Sequence, residues 1–470
     1  MRWLWLLPCL LLLPTGARSQ SGERPIAIVG ATVIHPEREL PAAVEHDRTI
    51  VVRGERIEAL GPSAGTGVPA DARVIDGRGK WVIPGLIDAH VHLFLSGNYY
   101  TRPDIADFTA AVPYATEVAR NKARLPYTLR TWLASGVTGV VDVGGPMWNF
   151  EMRDLARGTV EAPRVAVAGP LISTVARPTL DLGDPPIIRV TTPDEARALA
   201  QRELAFAPDY IKMWFVYTGA EHLPAQEAIA RAVGEAAHAG GARFAVHATE
   251  LVTAKAALRA GADMLVHSVM DEAVDQEFLA LAEGRGVLYC PTLFVMEGYR
   301  LALSNQWRAT DAEERLADPP VLAAMDDLAT LPPEKIPAGV RRAMSEGRGS
   351  GTSRTAFTNL RKVWDAGITV VMGSDAGNIG TLHGPAVFRE MQMMVEAGLT
   401  PLEVLRSATT NGAVAMGLAG QIGAIAPGML ADLVVLDADP LEDVSNASRV
   451  RLVVKGGAVV EVDSSASQAQ

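Results

Sequence analysis

The amino-acid sequence predicts an α/β protein in which a (β/α)8 TIM barrel is joined to a small β-sandwich domain built from both chain ends. Two observations predict this fold. Short apolar strands alternate with amphipathic helices between residues 84 and 417, a pattern that indicates parallel βαβ units. Short strands separated by turn residues occupy both 20–83 and 418–462. The 470 residues are enough for a barrel of about 250 residues together with the smaller domain.

Residues 1–19 have the composition of a secretory signal peptide. Arg2 precedes an apolar run from Trp3 to Leu13, and Ala17-Arg18-Ser19 forms a small-residue cleavage site. The run is shorter than the roughly 20 apolar residues that a membrane-spanning helix needs. We therefore expect an exported protein, periplasmic or secreted, with no membrane span after signal removal. Residues 463–470 are rich in Ser, Ala and Gln and predict a flexible tail.

The two chain ends carry the predicted sandwich strands. They are apolar segments separated by turns such as Gly54-Glu55 and Asp76-Gly77, and Gly456-Gly457 separates the last two. Strands from opposite ends of the chain are expected to pair beside the barrel. The predicted strands are Ala27–Val33, Thr49–Arg53, Arg56–Leu60, Arg73–Ile75, Asp432–Leu436, Val450–Val454 and Ala458–Val462.

The barrel region contains eight apolar strand candidates. Amphipathic stretches fall between most of them, and predict helices over Ala225–Ala239, Glu250–Ala260 and Asp271–Glu283. Residues 300–354 are rich in charge and proline, and predict an insertion or lid between the last two strands. The strand candidates are Leu86–His92, Val137–Val143, Arg164–Ala168, Tyr210–Met213, Arg243–His247, Met264–His267, Val287–Pro291 and Thr369–Asp375.

Composition excludes several classes of function. The chain carries 54 acidic and 43 basic residues, for a net charge of −11, which disfavours binding to nucleic acid or to anionic lipid. Of its two cysteines, Cys9 lies in the predicted signal peptide, so Cys290 has no partner for a disulfide or a thiolate zinc cage. We expect a small-molecule or dipeptide substrate. The sequence is compatible with a homo-oligomer.

Metal-binding side chains recur at the ends of the predicted barrel strands. Residues two apart in a strand point to the same face, so His90 and His92 are expected to converge. A single histidine at a strand end is usually a packed core residue, but four histidines and an aspartate at four strand ends indicate a metal site. Active sites of such barrels form at these carboxyl ends. The candidates, with a lysine from the fourth strand, are His90, His92, Lys212, His247, His267 and Asp375.

These motifs carry a resemblance to a known family. Val82–His92, the strand ends at His247 and His267, Gly373–Gly377 and the closing stretch Gly423–Leu436 are similar to the amidohydrolase superfamily across nearly the full mature chain. Within it, the sequence most resembles imidazolonepropionase-like amidohydrolases and bacterial Xaa-Pro dipeptidases. The resemblance implies a metal-dependent hydrolase with the predicted barrel and sandwich.

The resemblance also implies a binuclear centre of two divalent ions that share a bridging hydroxide. His90 and His92 would hold one ion together with Asp375, and His247 and His267 would hold the second. Imidazole and carboxylate ligands suit zinc, while manganese, iron and cobalt are alternatives. Asp375 would be the catalytic group, because a carboxylate beside the ions is suited to accept the hydroxide proton and pass it to the departing amine.

The resemblance gives Lys212 a special role. Carboxylated by carbon dioxide, it would bridge both ions, since a carbamate is an anion whereas an ammonium group cannot ligate. An ion pair between Lys212 and a carboxylate is one alternative. A single-metal site is another, because His247-Ala248-Thr249-Glu250 has the HxxE pattern of mononuclear relatives. Glu250 also stands at a predicted helix start, where an acidic side chain favours the helix dipole.

The expected reaction is hydrolysis of a carbon–nitrogen bond in an amide or dipeptide. A mononuclear deaminase or a cyclic-amide hydrolase of the imidazolonepropionase type is the alternative within enzymes, and a catalytically inactive binding protein is the alternative outside them. Substrate contacts are expected from the strand-end loops. The candidates are Arg177, Trp214, Tyr217, Asn378 and His383.

Overall fold

The computed structural model describes residues 24–347 and 351–461. The predicted signal peptide at 1–19 and the predicted tail at 463–470 lie outside these ranges. Within them, strands from both chain ends form one eight-stranded sheet, and the strands between them form two parallel sheets of three and seven strands. The structure is therefore α/β, as predicted.

The eight-stranded sheet joins the two ends of the chain. The strands are β1 (Ile26–Ile34), β2 (Val44–Arg53), β3 (Arg56–Pro62), β4 (Arg73–Asp76), β5 (Trp81–Pro84), β16 (Leu433–Leu436), β17 (Val450–Lys455) and β18 (Ala458–Glu461). Their order is β18-β17-β16-β5-β1-β2-β3, with β4 paired to β1. β5, which the sequence analysis missed, lies parallel to β1 and antiparallel to β16, so it connects the N-terminal and C-terminal strands. Aliphatic side chains from both ends share one core cluster.

The two parallel sheets contain a counterpart of each of the eight predicted barrel strands. The first sheet comprises β6 (Leu86–Val91), β7 (Val137–Asp142) and β8 (Arg164–Val167). The second comprises β9 (Leu171–Ser173), β10 (Ile187–Arg189), β11 (Tyr210–Trp214), β12 (Arg243–His247), β13 (Met264–Val266), β14 (Leu288–Cys290) and β15 (Thr369–Val370). β9 and β10 were not predicted, and β15 is shorter than the predicted Thr369–Asp375. Isolated parallel bridges join Ala168 to Tyr210 and Val91 to Ala376.

Helices follow most of the parallel strands. They are α1 (Tyr114–Ala134), α2 (Asn149–Arg157), α3 (Pro193–Leu204), α4 (Leu223–Ala239), α5 (Leu251–Arg259), α6 (Gln276–Ala282), α7 (Leu293–Leu303), α8 (Asp311–Leu316), α9 (Pro319–Ala324), α10 (Ala338–Glu346), α11 (Arg354–Asp365), α12 (Ala386–Glu396), α13 (Pro401–Ser407) and α14 (Thr410–Ala415). α4 and α5 match the first two predicted helices to within two residues at each end, whereas α6 begins at Gln276, five residues after the predicted start at Asp271. Among the described residues, no helix combines the length and the apolar character needed to cross a membrane.

Residues 301–344 of the predicted insertion at 300–354 pack onto the loops that follow β6 and β15. Their side chains share a hydrophobic cluster with Tyr99 and Phe108 from the loop after β6. The Tyr100 hydroxyl donates to Asp327 at 2.6 Å, and Trp307 Nε1 donates to the Gly380 carbonyl at 3.0 Å. These contacts fix the insertion against the same edge of the parallel sheets that carries the predicted metal ligands.

Candidate metal centre

Three of the predicted ligands meet in direct contact. His90 Nε2 and His92 Nε2 lie 3.4 Å apart, and each is 3.3 Å from Asp375 Oδ1. His90 and His92 come from the end of β6, whose two-residue repeat directs both rings to one side. A backbone hydrogen bond from Asp375 N to the His90 carbonyl, 2.8 Å long, holds the two segments together.

The second pair of histidines completes the cluster. His247 ends β12, and His267 follows β13, the neighbouring parallel strand. Their ring centroids are 4.4 Å apart, and the His267 ring lies 5.0 Å from that of His90. Donor atoms of His90, His267 and Asp375 all lie within 4.8 Å of one another, an arrangement able to hold a metal ion. The structure thus brings the four predicted histidines and the aspartate together.

Burial favours the neutral form of the four imidazoles. Burial lowers the pKa of His92 to about 3, and burial also holds the pKa values of His90, His247 and His267 well below the usual histidine value. His92 Nδ1–H donates to the Gly144 carbonyl at 2.6 Å, which leaves the Nε2 lone pair free to coordinate. Neutral imidazole is the form that binds metal.

Lys212 lies inside the cluster with an unusual environment for a lysine. Its side chain is buried in β11, and Nζ has no hydrogen-bond partner within residues 24–347 and 351–461. The hydrogen-bonded ion pair considered as an alternative is therefore not formed with any described carboxylate. Burial lowers the pKa of Lys212, which favours the neutral amine over the ammonium.

Asp375 is held by an amide rather than by a cation. Its backbone has φ of 56°, in the left-handed region that non-glycine residues rarely adopt. Asn378 Nδ2 donates to Asp375 Oδ1 at 2.7 Å. Burial raises the pKa of the Asp375 carboxyl, so this group is suited to exchange a proton near neutral pH.

Glu250, the acidic residue of the HxxE pattern, does not line the cavity beside these ligands. It occupies the residue before α5, as predicted, but its carboxylate accepts no backbone N–H there. Instead, the Thr253 hydroxyl donates to Glu250 Oε2 at 3.0 Å. The predicted position at a helix start is therefore correct, whereas a capping hydrogen bond from this side chain is absent.

A cavity of about 190 Å³, here called the central cavity, opens beside the cluster. All six predicted ligands line it, and most of its remaining wall is apolar. The apolar lining includes Phe94, Leu95, Ile105, Leu171, Leu180, Ile187, Trp214, Met270, Leu293, Val295 and Met296. Such a wall suits a small organic ligand that reaches the metal-binding side chains at one end.

Two of the five predicted substrate contacts, Trp214 and Asn378, line the central cavity. The other three lie outside its wall, contrary to expectation. Tyr217 lies three residues beyond the end of β11 and is exposed to solvent. His383 is buried in a separate pocket, where Nε2 donates to the Leu95 carbonyl. Arg177 stacks on the Trp214 ring at 4.6 Å.

Sequence reasoning missed six polar residues of the cavity wall, and three of them contact predicted site residues; the six are Arg102, Thr249, Ser268, Thr292, Tyr299 and Thr352. Arg102 and Tyr299 both hydrogen-bond to Asn378 Oδ1, and the Thr292 hydroxyl lies 2.6 Å from His267 Nδ1. Arg102 is the one basic residue between Leu93 and Phe108, a predominantly apolar stretch. This was the feature of the sequence that could have marked Arg102 as a site residue. No feature of the sequence marked Tyr299 or Thr292 as a site residue, because only the folded chain brings them close to the predicted ligands.

Comparison with known proteins agrees with this geometry. The model of the amidohydrolase family matches residues 81–460, which include every predicted ligand. The chain belongs to the amidohydrolase family.

Relatives of this amidohydrolase include two kinds of named enzyme. Imidazolonepropionase from Symbiobacterium thermophilum is 29% identical over 425 residues, covering 85% of this chain and 86% of that protein. A prolidase solved with N-methylphosphonate-L-proline is 25% identical, has a TM-score of 0.68, and covers 93% of this chain and 99% of that chain. A Xaa-Pro dipeptidase with bound methionine shares the fold, with a TM-score of 0.70, 24% identity, and coverage of 93% and 100%. The amidohydrolase is thus a hydrolase that acts on carbon–nitrogen bonds of small molecules.

Proposed function

We propose that this amidohydrolase hydrolyses the amide bond of a dipeptide or of another small amide, at a centre of two divalent ions. The observation that carries the proposal is the convergence of four neutral imidazoles, a carboxylate and an unpartnered buried lysine at one side of an apolar cavity. Export of the protein is part of the proposal, and rests on the composition of residues 1–19.

The ligand set divides into two groups. His90 and His92, together with Asp375, would hold one ion, and His247 and His267 would hold the other. Zinc suits this combination of imidazole and carboxylate donors. Bound ions would polarise the scissile carbonyl and make an attacking hydroxide available at neutral pH.

Lys212 is the residue that distinguishes two ions from one. Burial lowers the pKa of its amine and so favours the neutral form, which could add to carbon dioxide with loss of a proton; the resulting carbamate would supply anionic oxygen ligands to the ions. Asp375 would accept the proton of the attacking hydroxide as its oxygen bonds to the amide carbon, and would pass that proton to the departing nitrogen as the carbon–nitrogen bond breaks. Asn378 keeps Oδ1 of that carboxylate oriented through the reaction.

The two parallel sheets are proposed to be parts of one closed (β/α)8 barrel. The parallel bridge between Ala168 and Tyr210 supports continuity from β8 to β11, and the bridge between Val91 and Ala376 supports continuity from β6 to the segment after β15. Closure explains why side chains at the ends of five strands reach one point.

A cyclic-amide hydrolase with a single ion is the second candidate. The observation that favours it is the likeness to imidazolonepropionase over 85% of the chain. In this alternative Lys212 would have no coordinating role, and Glu250 would have to approach the substrate.

Metal content and activity separate the two candidates. We expect the zinc-loaded protein to contain two ions per chain and to hydrolyse members of a panel of dipeptides, N-acyl amino acids and lactams. Lys212→Ala should hold fewer than two ions and lose most activity, whereas Lys335→Ala, which alters an exposed lysine, should resemble the wild type. One ion per chain with undiminished activity in Lys212→Ala would favour the single-ion candidate.

A further inference from the structure

We propose that the substrate of this amidohydrolase is an amide in which both the acyl part and the amine part are uncharged. The inference rests on the proposed amide hydrolysis and specifies the class of amide. Apart from the metal centre, the described residues that line the central cavity offer no unpaired charge and few free polar groups to a bound molecule.

Arg102 is the one charged side chain that lines the central cavity besides the metal-binding residues, within the described part of the chain. Its Nε and Nη2 donate to the two oxygens of Asp104 at 2.7 and 2.8 Å, and its Nη1 donates to Asn378 Oδ1 at 2.6 Å. The Asp104 side chain is 1% exposed, so the two opposite charges compensate each other away from water. Arg177 lies outside the wall and is 33% exposed, which allows water to screen its charge. Neither terminus of a zwitterionic dipeptide therefore finds an unpaired opposite charge in the wall outside the metal centre.

Most hydroxyl and amide side chains of the wall already form hydrogen bonds within the protein. They are Ser268, Thr292, Tyr299, Thr352 and Asn378, and their partners are Tyr289, His267, Asn378, the Leu293 carbonyl and Asp375, respectively. The side chains of Thr249 and Trp214, which also line the wall, form no hydrogen bond with any described residue. A hydroxyl and an indole N–H can each donate to a neutral ligand, but neither can neutralise a charged one.

Apolar side chains from two segments line much of the remaining wall. Leu171 and Ile187 belong to β9 and β10, and Leu180 lies between these strands. Leu293 and Met296 belong to α7. A charged group placed against these side chains would lose its hydration without gaining a partner, whereas an apolar group is stabilised by leaving water. The wall therefore favours an uncharged amide over a dipeptide with free termini.

Ile105 is a position at which the charge of the wall can be changed. It lines the central cavity and is 49% exposed, so a long charged side chain there can keep its head group in water while its stem stays at the cavity. Ile105→Lys adds a cation to the wall, and Ile105→Glu adds an anion. Ile105→Met is the uncharged control, with a side chain of comparable length.

The test measures binding to the full-length, zinc-loaded protein with acetanilide analogues in which a methylene group replaces the amide nitrogen. Two pairs of analogues differ in charge but hardly in shape. One pair carries a para-methylsulfonyl or a para-sulfonate group, and the other carries a para-tert-butyl or a para-trimethylammonium group. Neither charged group is a good zinc ligand, so both report on the wall. We expect calorimetry to give about tenfold or tighter binding of the neutral member of each pair.

The Ile105 variants should change these preferences in opposite directions. Ile105→Lys should tighten binding of the sulfonate about fivefold relative to the sulfone, as expected for a partly exposed ion pair. Ile105→Glu should do the same for the trimethylammonium compound relative to its tert-butyl partner. Ile105→Met should keep both wild-type preferences.

Equal or tighter binding of either charged member by the wild type would overturn the inference, and so would a failure of all four analogues to bind. Hydrolysis assays with the corresponding acetanilides separate this outcome from failure of the proposed function. A preference for the neutral members in binding without any hydrolysis would refute the reaction alone. Equal hydrolysis of both members of each pair would refute the substrate class alone.

Discussion

At the scale of single residues, the metal centre departs from ordinary backbone conformations. His267, Thr292 and Asp375 have φ of 73°, 45° and 56°, in the left-handed region that non-glycine residues rarely adopt. The conformation is particularly unfavourable for the β-branched Thr292. His267 directly follows β13, Thr292 directly precedes α7, and Asp375 lies in the segment after β15, and all three line the central cavity. Strained backbone conformations therefore occur at the residues that surround the metal-binding side chains.

The Thr292 hydroxyl is expected to orient His267. It lies 2.6 Å from His267 Nδ1, and removing a hydrogen-bond partner of a ligand typically lowers metal affinity about 10–100-fold. Thr292→Val keeps the branched shape but removes the hydroxyl, so it should weaken zinc binding by that factor. Thr292→Ser should stay near the wild type. Competition with a chromophoric chelator measures both affinities, and an unchanged zinc affinity in Thr292→Val would exclude the orienting role.

Glu203 leads to a prediction about pH and stability. Both of its carboxylate oxygens are buried with no hydrogen-bond partner among the described residues, and burial raises its pKa well above the usual value. The folded protein therefore keeps a proton that the unfolded chain releases above about pH 4.5. The free energy of unfolding should consequently fall as the pH rises from that value toward the folded-state pKa.

Glu203→Gln tests this prediction because the amide cannot ionise. Relative to the wild type, its free energy of unfolding should increase with pH by up to about 1.4 kcal/mol per pH unit above 4.5. Urea denaturation at pH 5, 6 and 7 measures the difference. Glu151→Gln, which alters an exposed glutamate of α2, should show none of this pH dependence. A constant difference between wild type and Glu203→Gln would contradict the assignment of a buried protonated carboxyl.

At the scale of elements, local periodicity predicted the long segments and failed for the short ones. The helices predicted at 225–239 and 250–260 appear as α4 and α5, because each buries one apolar face. The helix predicted at 271–283 is confirmed only from Gln276, because Asp275 caps its start by accepting from Phe278 N. The missed β9 and β10 have three residues each, too few to display a strand repeat. β5 has four residues and ends in Pro84, and only its pairing with β1 and β16 makes it a strand.

Site residues at strand ends could be predicted from the local sequence, whereas site residues in loops could not. His90, His92, His247 and His267 were predictable because each follows an apolar strand, and such ends meet in parallel sheets. Arg102, Thr292 and Tyr299 lie in a loop or a helix start, where no repeat indicates direction. Tyr217 and His383, predicted as substrate contacts, do not line the central cavity, since the sequence does not define the path of a loop.

The helix α7 supplies an element-scale prediction. Glu390 of α12 accepts the N–H groups of Leu293 and Phe294, the first residues of α7, at 2.9 and 2.8 Å. Both groups are buried, so Glu390→Ala would leave two donors unsatisfied and should lower the free energy of unfolding by about 2–4 kcal/mol. Glu396→Ala, at the exposed end of the same helix, should change it by less than about 0.5 kcal/mol. Equal stability of the two variants in urea would show that α7 does not depend on this contact.

At the scale of the whole molecule, the two chain ends and the parallel strands form a connected structure. The antiparallel pairing of β5 with β16 joins residues more than 300 positions apart in the sequence. Arg164, at the start of β8, donates to both oxygens of Asp432, which immediately precedes β16, at 2.7 and 3.1 Å. The Asp432 side chain is 1% exposed. This buried ion pair connects the eight-stranded sheet to the parallel strands.

Loss of that ion pair should destabilise the whole chain. Arg164→Gln removes the cation from a buried carboxylate, and the expected loss in the free energy of unfolding is about 2–4 kcal/mol, below the fully buried limit because Arg164 is 25% exposed. Adding Asp432→Asn should recover part of the loss, since a neutral amide needs no cation. Arg157→Gln, which breaks a solvent-exposed pair with Asp154, should cost no more than about 1 kcal/mol. Urea denaturation of the four proteins measures these differences, and an Arg164→Gln variant as stable as Arg157→Gln would mean that burial, rather than this pair, joins the two parts.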